Sequence, residues 1–408
     1  MTEGDVAWVL VSAALVVFMV PGLALFYGGM VRSKNVLNML NMNMLCLGIV
    51  PLVWVVIGYS LALGDGSSAI IGNLDHIGMK DIEGAEAVST FAFLMTFAAI
   101  TPALISGAVA DRMRFMAWAV FVPVWSLLVY SPVVYWVYGG NGWIEGLPAL
   151  DFAGGTAIHV NAGAAALALV IVLGPRRGWP REGMLPHNLP LVMLGAGILW
   201  FGWFGFNAGS ALGANAQAAQ AFVNTFIAAA AGMIAWLVAE YLKDGQATTL
   251  GAASGVVAAL VAITPAAGYV GSLHSIAFGA AAGVLCFLAI QLKFRFGYDD
   301  SLDVVGVHLV GGVVGGVLLG FFADSSAIPG GDFIEGVFFG GGELLWNQIL
   351  SIVVVAAYSF AITFVIAKAI DATIGLRVSA DDEQVGLDQS QHAETAYNYA
   401  DSGFGRIG

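Results

Sequence analysis

An all-α polytopic membrane protein is the fold class this sequence predicts, and three observations carry it. Of 408 residues, 59% are hydrophobic and only 10% are charged, against an ordinary charged share of about 25%. Apolar runs recur along the chain with short polar punctuation between them, each near the ~20 residues a helix needs to cross a bilayer. The chain also carries 54 glycines, well above the usual share of about 7%, and small residues let membrane helices approach closely.

The runs place eleven spans, at 6–30, 37–63, 87–110, 114–137, 152–174, 188–208, 217–242, 247–266, 271–294, 301–322 and 345–371. Polar punctuation sets their limits in turn. Arg32 and Lys34 follow the first span, and Lys80 lies between the second and third. Arg112 and Arg114 separate the third from the fourth, which ends in "VYWVYGGNGW". The fifth opens after Asp151 and stops at Arg176, Arg177 and Arg181. "PHNLP" leads into the sixth, Lys243 follows the seventh, and "TPAAGYVG" parts the eighth from the ninth. Lys293 and Arg295 end the ninth, Asp300 opens the tenth, and Lys368, Arg377 and Arg406 end or follow the eleventh.

With eleven crossings, all of these basic residues except Lys80 fall on one side. The positive-inside rule makes that side the cytoplasm, so the N-terminus lies outside and the C-terminal tail inside. The start "MTEGDVAW" has no basic segment, so no cleaved signal peptide is expected. The net charge of −13 offers no basic surface for nucleic acid. Cys46 and Cys286 fall inside apolar runs and read as buried thiols.

"DFAGGTAIHVNAG" (151–163) puts His159 eight residues after Asp151, and "DSLDVVGVHLVGG" from Asp300 puts His308 eight after its own aspartate. The copies open spans five and ten, so the repeating unit is five helices. An odd number of crossings inverts the second unit, a design common in transporters whose substrate path lies between the repeats. Eight helical residues rise about 12 Å. In a core about 30 Å thick, two imidazoles that far in from opposite faces sit near the centre together. Ionisable groups inside a membrane usually mark a pathway.

Phe93 and Phe97 lie four apart on one helical face. Phe206 and Ser210 do the same, with Trp203 one turn earlier, and Ser210 sits at the outer end of its span. Tyr135, Trp136, Tyr138 and Trp143 cluster at the outer end of span four, where an interfacial aromatic belt also explains them. No catalytic motif emerges, so no enzyme activity is expected. The two histidines and their carboxylates, two helical turns away, cannot share one metal ion, and no cofactor is expected.

"PGLALFYGGMVRSKNVL" (21–37), "DFAGGTAIHVNAG", "PHNLP", "GWFGFNAGS" (202–210), "TPAAGYVG" and "DVVGVHLVGG" (303–312) closely resemble the ammonium transporter family, relatives of the Rhesus glycoproteins. The resemblance runs from residue 6 to about 400. It implies an eleven-helix fold, a homotrimer with one pore through each protomer, and transport of ammonium or ammonia, with methylammonium as a companion substrate. His159 and His308 resemble the family's twin histidines, and Phe97 and Phe206 its stacked aromatic gate. Ser210, Trp203 and Tyr138 resemble residues of the outer vestibule, Tyr138 standing where family members usually carry Trp. Asp151 resembles the aspartate that organises that site, and Thr264 a residue near the pore lining. The transporter domain then covers 1–371, with repeat halves at 6–174 and 188–322. Residues 372–408 resemble the family's cytoplasmic regulatory tail, which with the inner loops commonly meets a PII-type signal protein. An ammonium sensor signalling through the tail and a Rhesus-type gas channel are the competing readings.

Overall fold

Thr2 opens the first helix. Its hydroxyl accepts the Asp5 N–H at 3.2 Å while the Asp5 carboxylate accepts the Thr2 N–H at 2.8 Å, satisfying amides that a helix start leaves free. The computed structural model describes residues 1–398, and no strand is found among them. The last ten residues of the tail, Arg406 among them, lie outside the described residues. Among the described residues, ten helices are long and apolar enough to cross a membrane: α1 (Glu3–Met30), α2 (Val36–Leu63), α3 (Gly84–Val109), α4 (Phe115–Tyr138), α5 (Gly155–Leu173), α6 (Leu189–Gly209), α7 (Ala216–Asp244), α9 (Ser272–Phe296), α10 (Val305–Phe322) and α11 (Glu343–Thr373). Between α7 and α9 lies α8 (Thr249–Ile263), also apolar but only 15 residues long. At 1.5 Å per residue it rises roughly 22 Å. Pro265, which cannot extend the helix ladder, begins the turns that carry the chain on to α9.

Two starts differ from the sequence expectation for the same reason. Spans expected from 152 and 301 begin at Gly155 and Val305, because an aspartate just upstream folds back to receive the first free amides. Asp151 accepts from the N–H groups of Gly154, Gly155, Thr156 and Ala157 at 2.6–3.0 Å. Asp300 accepts from Val305 at 2.7 Å. Each helix then opens with a π-helical segment, Gly155–Val160 and Val305–Leu309, and each segment contains one histidine.

α5 and α10 cross where neither has a side chain. A Cβ on Gly163 would stand 2.4 Å from the Leu309 amide nitrogen, and one on Gly312 would stand 2.9 Å from Gly155 O. Real Cβ atoms do not come so close to backbone, so glycine is required at both. Each glycine lies four residues after a histidine, one turn on, and the reciprocal crossing therefore carries the two imidazoles toward each other.

On the arginine-rich face, called inner from here on after the positive-inside expectation, the tail folds back across the helix ends. Val378 N–H donates to Arg112 O at 3.0 Å, and Arg377 pairs with Glu383 at 2.8 Å. Two short helices follow, α12 (Ala380–Val385) and α13 (Leu387–His392). Asp388 at the start of α13 accepts the Asn38 N–H at 2.8 Å, and the Leu387 N–H donates to Asn35 Oδ1 at 2.8 Å. The tail thereby caps the first turn of α2.

Candidate functional site

Four aromatic rings descend from the outer face along α3, α6 and α5. Phe97 and Phe206 stack with centroids 4.2 Å apart and planes at 15°. Phe93 leans on Phe97 from behind at 4.7 Å and is buried. Beneath the stack, Trp203 lies almost parallel to the His159 ring at 5.6 Å and 20°. α6 runs outward, so the residue one turn before Phe206 sits deeper than it. The structure thus places Trp203 at the level of the histidine, inward of the outer vestibule. Thr264 stands behind Trp203, its hydroxyl accepting the indole N–H at 2.9 Å and donating to Leu260 O at 2.7 Å. It fixes the indole plane with its own polar atoms already engaged.

His159 and His308 meet at the α5–α10 crossing. Their Nδ1 atoms are 3.2 Å apart, with ring centroids at 5.3 Å and planes at 17°. One shared proton satisfies that geometry: one ring donates Nδ1–H and the other accepts. The donor ring then offers a bare Nε2 and the acceptor ring an Nε2–H, so the pair presents one acceptor and one donor to its surroundings. His159 Nε2 is buried without a partner among the described residues.

A cavity of about 10 Å³ lies between the Phe206 ring and the two imidazoles, otherwise walled by Met19, Leu23, Ile100, Leu104, Leu199, Trp203 and Val257. That volume is on the order of a single water-sized guest. A second cavity of about 20 Å³ shares Leu23, Val257 and His308 with the first and reaches Leu302 and Asp303. A third, about 220 Å³, shares Met30, Leu302 and Asp303 with the second and opens among Arg176, Trp179 and Lys293. The three succeed one another through a single chain, from aromatic stack to inner face.

Above the stack, Ser210 ends α6 half-buried. Its hydroxyl donates to Phe206 O at 2.9 Å, which leaves the oxygen lone pairs free to accept. Asp151 is buried, and its oxygens are engaged by the four amides already described. It shapes the loop without offering a free acceptor. Tyr138 ends α4 beside it, the hydroxyl within electrostatic reach of that carboxylate.

The inner mouth holds residues that sequence reading used only for orientation. Arg176 grips Asp299 through two guanidinium nitrogens at 2.9 and 2.8 Å, and Arg32 pairs with Asp111 at 2.8 Å. Arg112, fully buried, donates to Gly174 O, Ser301 Oγ and Asp299 O. Burial alone pushes the Asp299 carboxyl up, but the Arg176 and Arg112 guanidiniums bring it below the usual carboxylate range. Charges adjoining the ends of spans three, five and nine were the available signal. Spacing alone did not say that they meet.

Comparison with known proteins bears on the family and the fold. Residues 7–397 match the sequence model of the Ammonium Transporter Family. An ammonium transporter of Mycobacterium tuberculosis is 51% identical over 432 aligned residues, covering 97% of this chain and 91% of the relative. The crystal structure of Candida albicans Mep2 superposes with a TM-score of 0.90 at 36% identity, covering 98% of this chain and 91% of that one. A solved sensor Amt protein superposes with a TM-score of 0.90 at 28% identity, over 96% of this chain and 98% of its own.

Proposed function

The chain belongs to the Ammonium Transporter Family, and we propose that it carries ammonium across the cell membrane into the cytoplasm. Ammonium is taken up from outside against the Phe97 ring, Tyr138 and the Ser210 oxygen, gives up one proton, and passes as ammonia beneath Phe206 and along His159 and His308. The observation that carries this reading is the imidazole pair, 3.2 Å apart, facing an apolar cavity of about 10 Å³ directly under the aromatic stack. Such a space suits a small neutral hydrogen-bonding guest.

Magnitudes favour deprotonation. An intact cation placed in a dry, apolar passage loses several kcal/mol of hydration even after relaxation. Removing a proton from an amine with a pKa near that of lysine, about 10.4, costs roughly 4–5 kcal/mol at pH 7. The second route is no dearer, and it excludes potassium, which has no proton to give up. Ammonia entering the pair donates to the bare Nε2 and accepts from the Nε2–H, regaining two of the hydrogen bonds it left in water. A proton left outside makes the transport neutral, and one relayed along the imidazoles makes it electrogenic.

The test uses purified protein in liposomes, reading ammonium-dependent current together with methylammonium uptake. Uptake is expected in the native protein and lost in the His159→Ala, His308→Ala double variant. Uptake that persists unchanged in that variant removes the histidines from the conduction step. Likeness to a sensor Amt protein favours a second reading, in which the chain binds ammonium and signals through its tail. Native protein that binds methylammonium with no measurable flux selects it.

The rest of the reading follows family architecture. The protein works as a homotrimer in the cytoplasmic membrane, each protomer with its own pore, the N-terminus outside and the tail inside. The strap formed by α12 and α13, with the adjoining inner loops, is the surface on which a PII-type signal protein would act. Co-purification with such a protein, lost when the strap's Glu383 is changed to Ala, checks that assignment.

A further inference from the structure

Lys293 lies near the inner end of α9 and serves no step of the transport path, yet its ammonium is closely held. Its Nζ donates to Asp303 Oδ1 at 2.5 Å and to Asp300 O at 3.1 Å, and stands 5.5 Å from the centroid of the Phe294 ring. The side chains of the ion pair are only 12% and 24% exposed, so this is not a loose surface pair of the kind that contributes little. A carboxylate, a carbonyl and an aromatic face are the groups that would hold a free ammonium ion. The lysine head is itself a primary alkylammonium, the chemical class of methylammonium.

Position matters as much as chemistry. Asp303 lines both the narrow cavity that reaches His308 and the wide one that opens on the inner face, and Lys293 lines the wide one. A guest leaving His308 inward therefore meets Asp303 before the open mouth. The backbone at Asp303 has a φ of 64°, in the left-handed region that residues with side chains rarely enter. Such conformations persist where surrounding contacts fix them. Arg176, a second cation on the wall of the wide cavity, is engaged by Asp299.

Resting on the transport reading above, we propose that the inner mouth contains a cation site of the ammonium class, formed by Asp303, Asp300 O and the Phe294 ring, which the chain fills with its own Lys293. Ammonia that reaches the water of the inner face takes up one proton from it and becomes a cation again, beside a carboxylate. With Lys293 in place the new ion finds Asp303 already paired and moves on. A tethered lysine competes at a fixed, high effective concentration, so cargo at low concentration does not displace it. The lysine weakens retention at one mouth only and leaves the equilibrium set by the gradient untouched.

Lys293→Met removes the ammonium and keeps most of the stem. Inside-out membrane vesicles present the inner mouth to the medium, and right-side-out vesicles the outer one. From the inner side, the methylammonium concentration that half-saturates flux falls roughly tenfold in Lys293→Met, the order of one charge-assisted hydrogen bond. From the outer side it stays at the native value. Lys293→Arg keeps a cation on Asp303 and stays native on both sides, and a Lys293→Met, Asp303→Asn double variant loses the gain. Lys293→Gln, which keeps a donor for Asp300 O, behaves as Lys293→Met and replaces it should that variant fail to fold. Inner half-saturation that is unchanged or higher in the neutral variants overturns the proposal. An equal fall on both sides overturns it too, because the change is then not confined to the inner mouth. Native vesicles that pass no methylammonium fail the transport reading itself, so the two failures are told apart.

Discussion

The outer and inner halves use one device with unequal completeness. In both, an aspartate caps a helix that opens in a π-helical turn around a histidine. Asp151 receives four backbone N–H groups, two on each oxygen. Asp300 receives the Val305 N–H on Oδ2, while its Oδ1 is buried without a partner among the described residues. Burial pushes both carboxyls above the ordinary range. The four amides oppose that at Asp151, whereas at Asp300 the neighbouring Asp303 adds to it and Lys293 opposes it. The outer cap has both oxygens filled by amides, whereas the inner one keeps a buried oxygen without a partner among the described residues. Repeated sequence therefore fixed the geometry of the two histidines without fixing the electrostatics around them.

The largest test of this difference is Asp151→Asn. An amide can accept on one side only, and its NH2 would face the N–H groups of Thr156 and Ala157. With each stranded donor costing about 1–3 kcal/mol, destabilisation of about 4 kcal/mol is expected, read as a collapse of Tm in detergent. Equal tolerance of Asp151→Asn and Asp300→Asn would break the comparison.

A smaller effect comes from the crossing. Gly163→Ala drives a Cβ against the Leu309 backbone, and Gly312→Ala drives one, less tightly, against Gly155 O. Overpacking of this kind costs about 1–3 kcal/mol, with Gly163→Ala at the upper end. Uptake should fall in both variants as the imidazoles part. A Gly312→Ala variant less stable than Gly163→Ala would reverse the order drawn from the two clearances.

The smallest change in stability is expected for Asp300→Asn. The amide NH2 can take the place of the unpaired oxygen, so stability near neutral pH stays level or rises. The sign of the pH effect follows from the raised carboxyl. The folded state binds this proton more tightly than the unfolded chain, whose value is about 3.9. Stability therefore falls as pH rises from about 4 through the folded value. Asp300→Asn removes that slope, which Tm measured between about pH 4 and pH 7 would register.

Hydropathy made the helices legible, because a membrane span must satisfy its backbone internally and cover itself with apolar side chains. The Asp-to-His spacing made the two imidazoles legible as a pair of equivalent positions. Less could be read where function depends on which polar atom is already engaged. The α6 pattern around Trp203 gave a helical face but not its depth, and the structure sets that indole against His159. The glycines at 163 and 312 were visible only as small residues, since their necessity lies in the other helix's backbone. The tail's acidic composition is equally that of a solvated segment. Its docking rests on Asp388 meeting the Asn38 amide at a separation of 350 residues, which no local pattern encodes.

That last contact has a bearing on biosynthesis. The amides at the beginning of α2 emerge early from the ribosome and wait for a carboxylate made 350 residues later. Until then water alone serves them, and the inner face stays open. A polypeptide cut short after α11 would keep every membrane crossing yet lack this clasp across the start of α2.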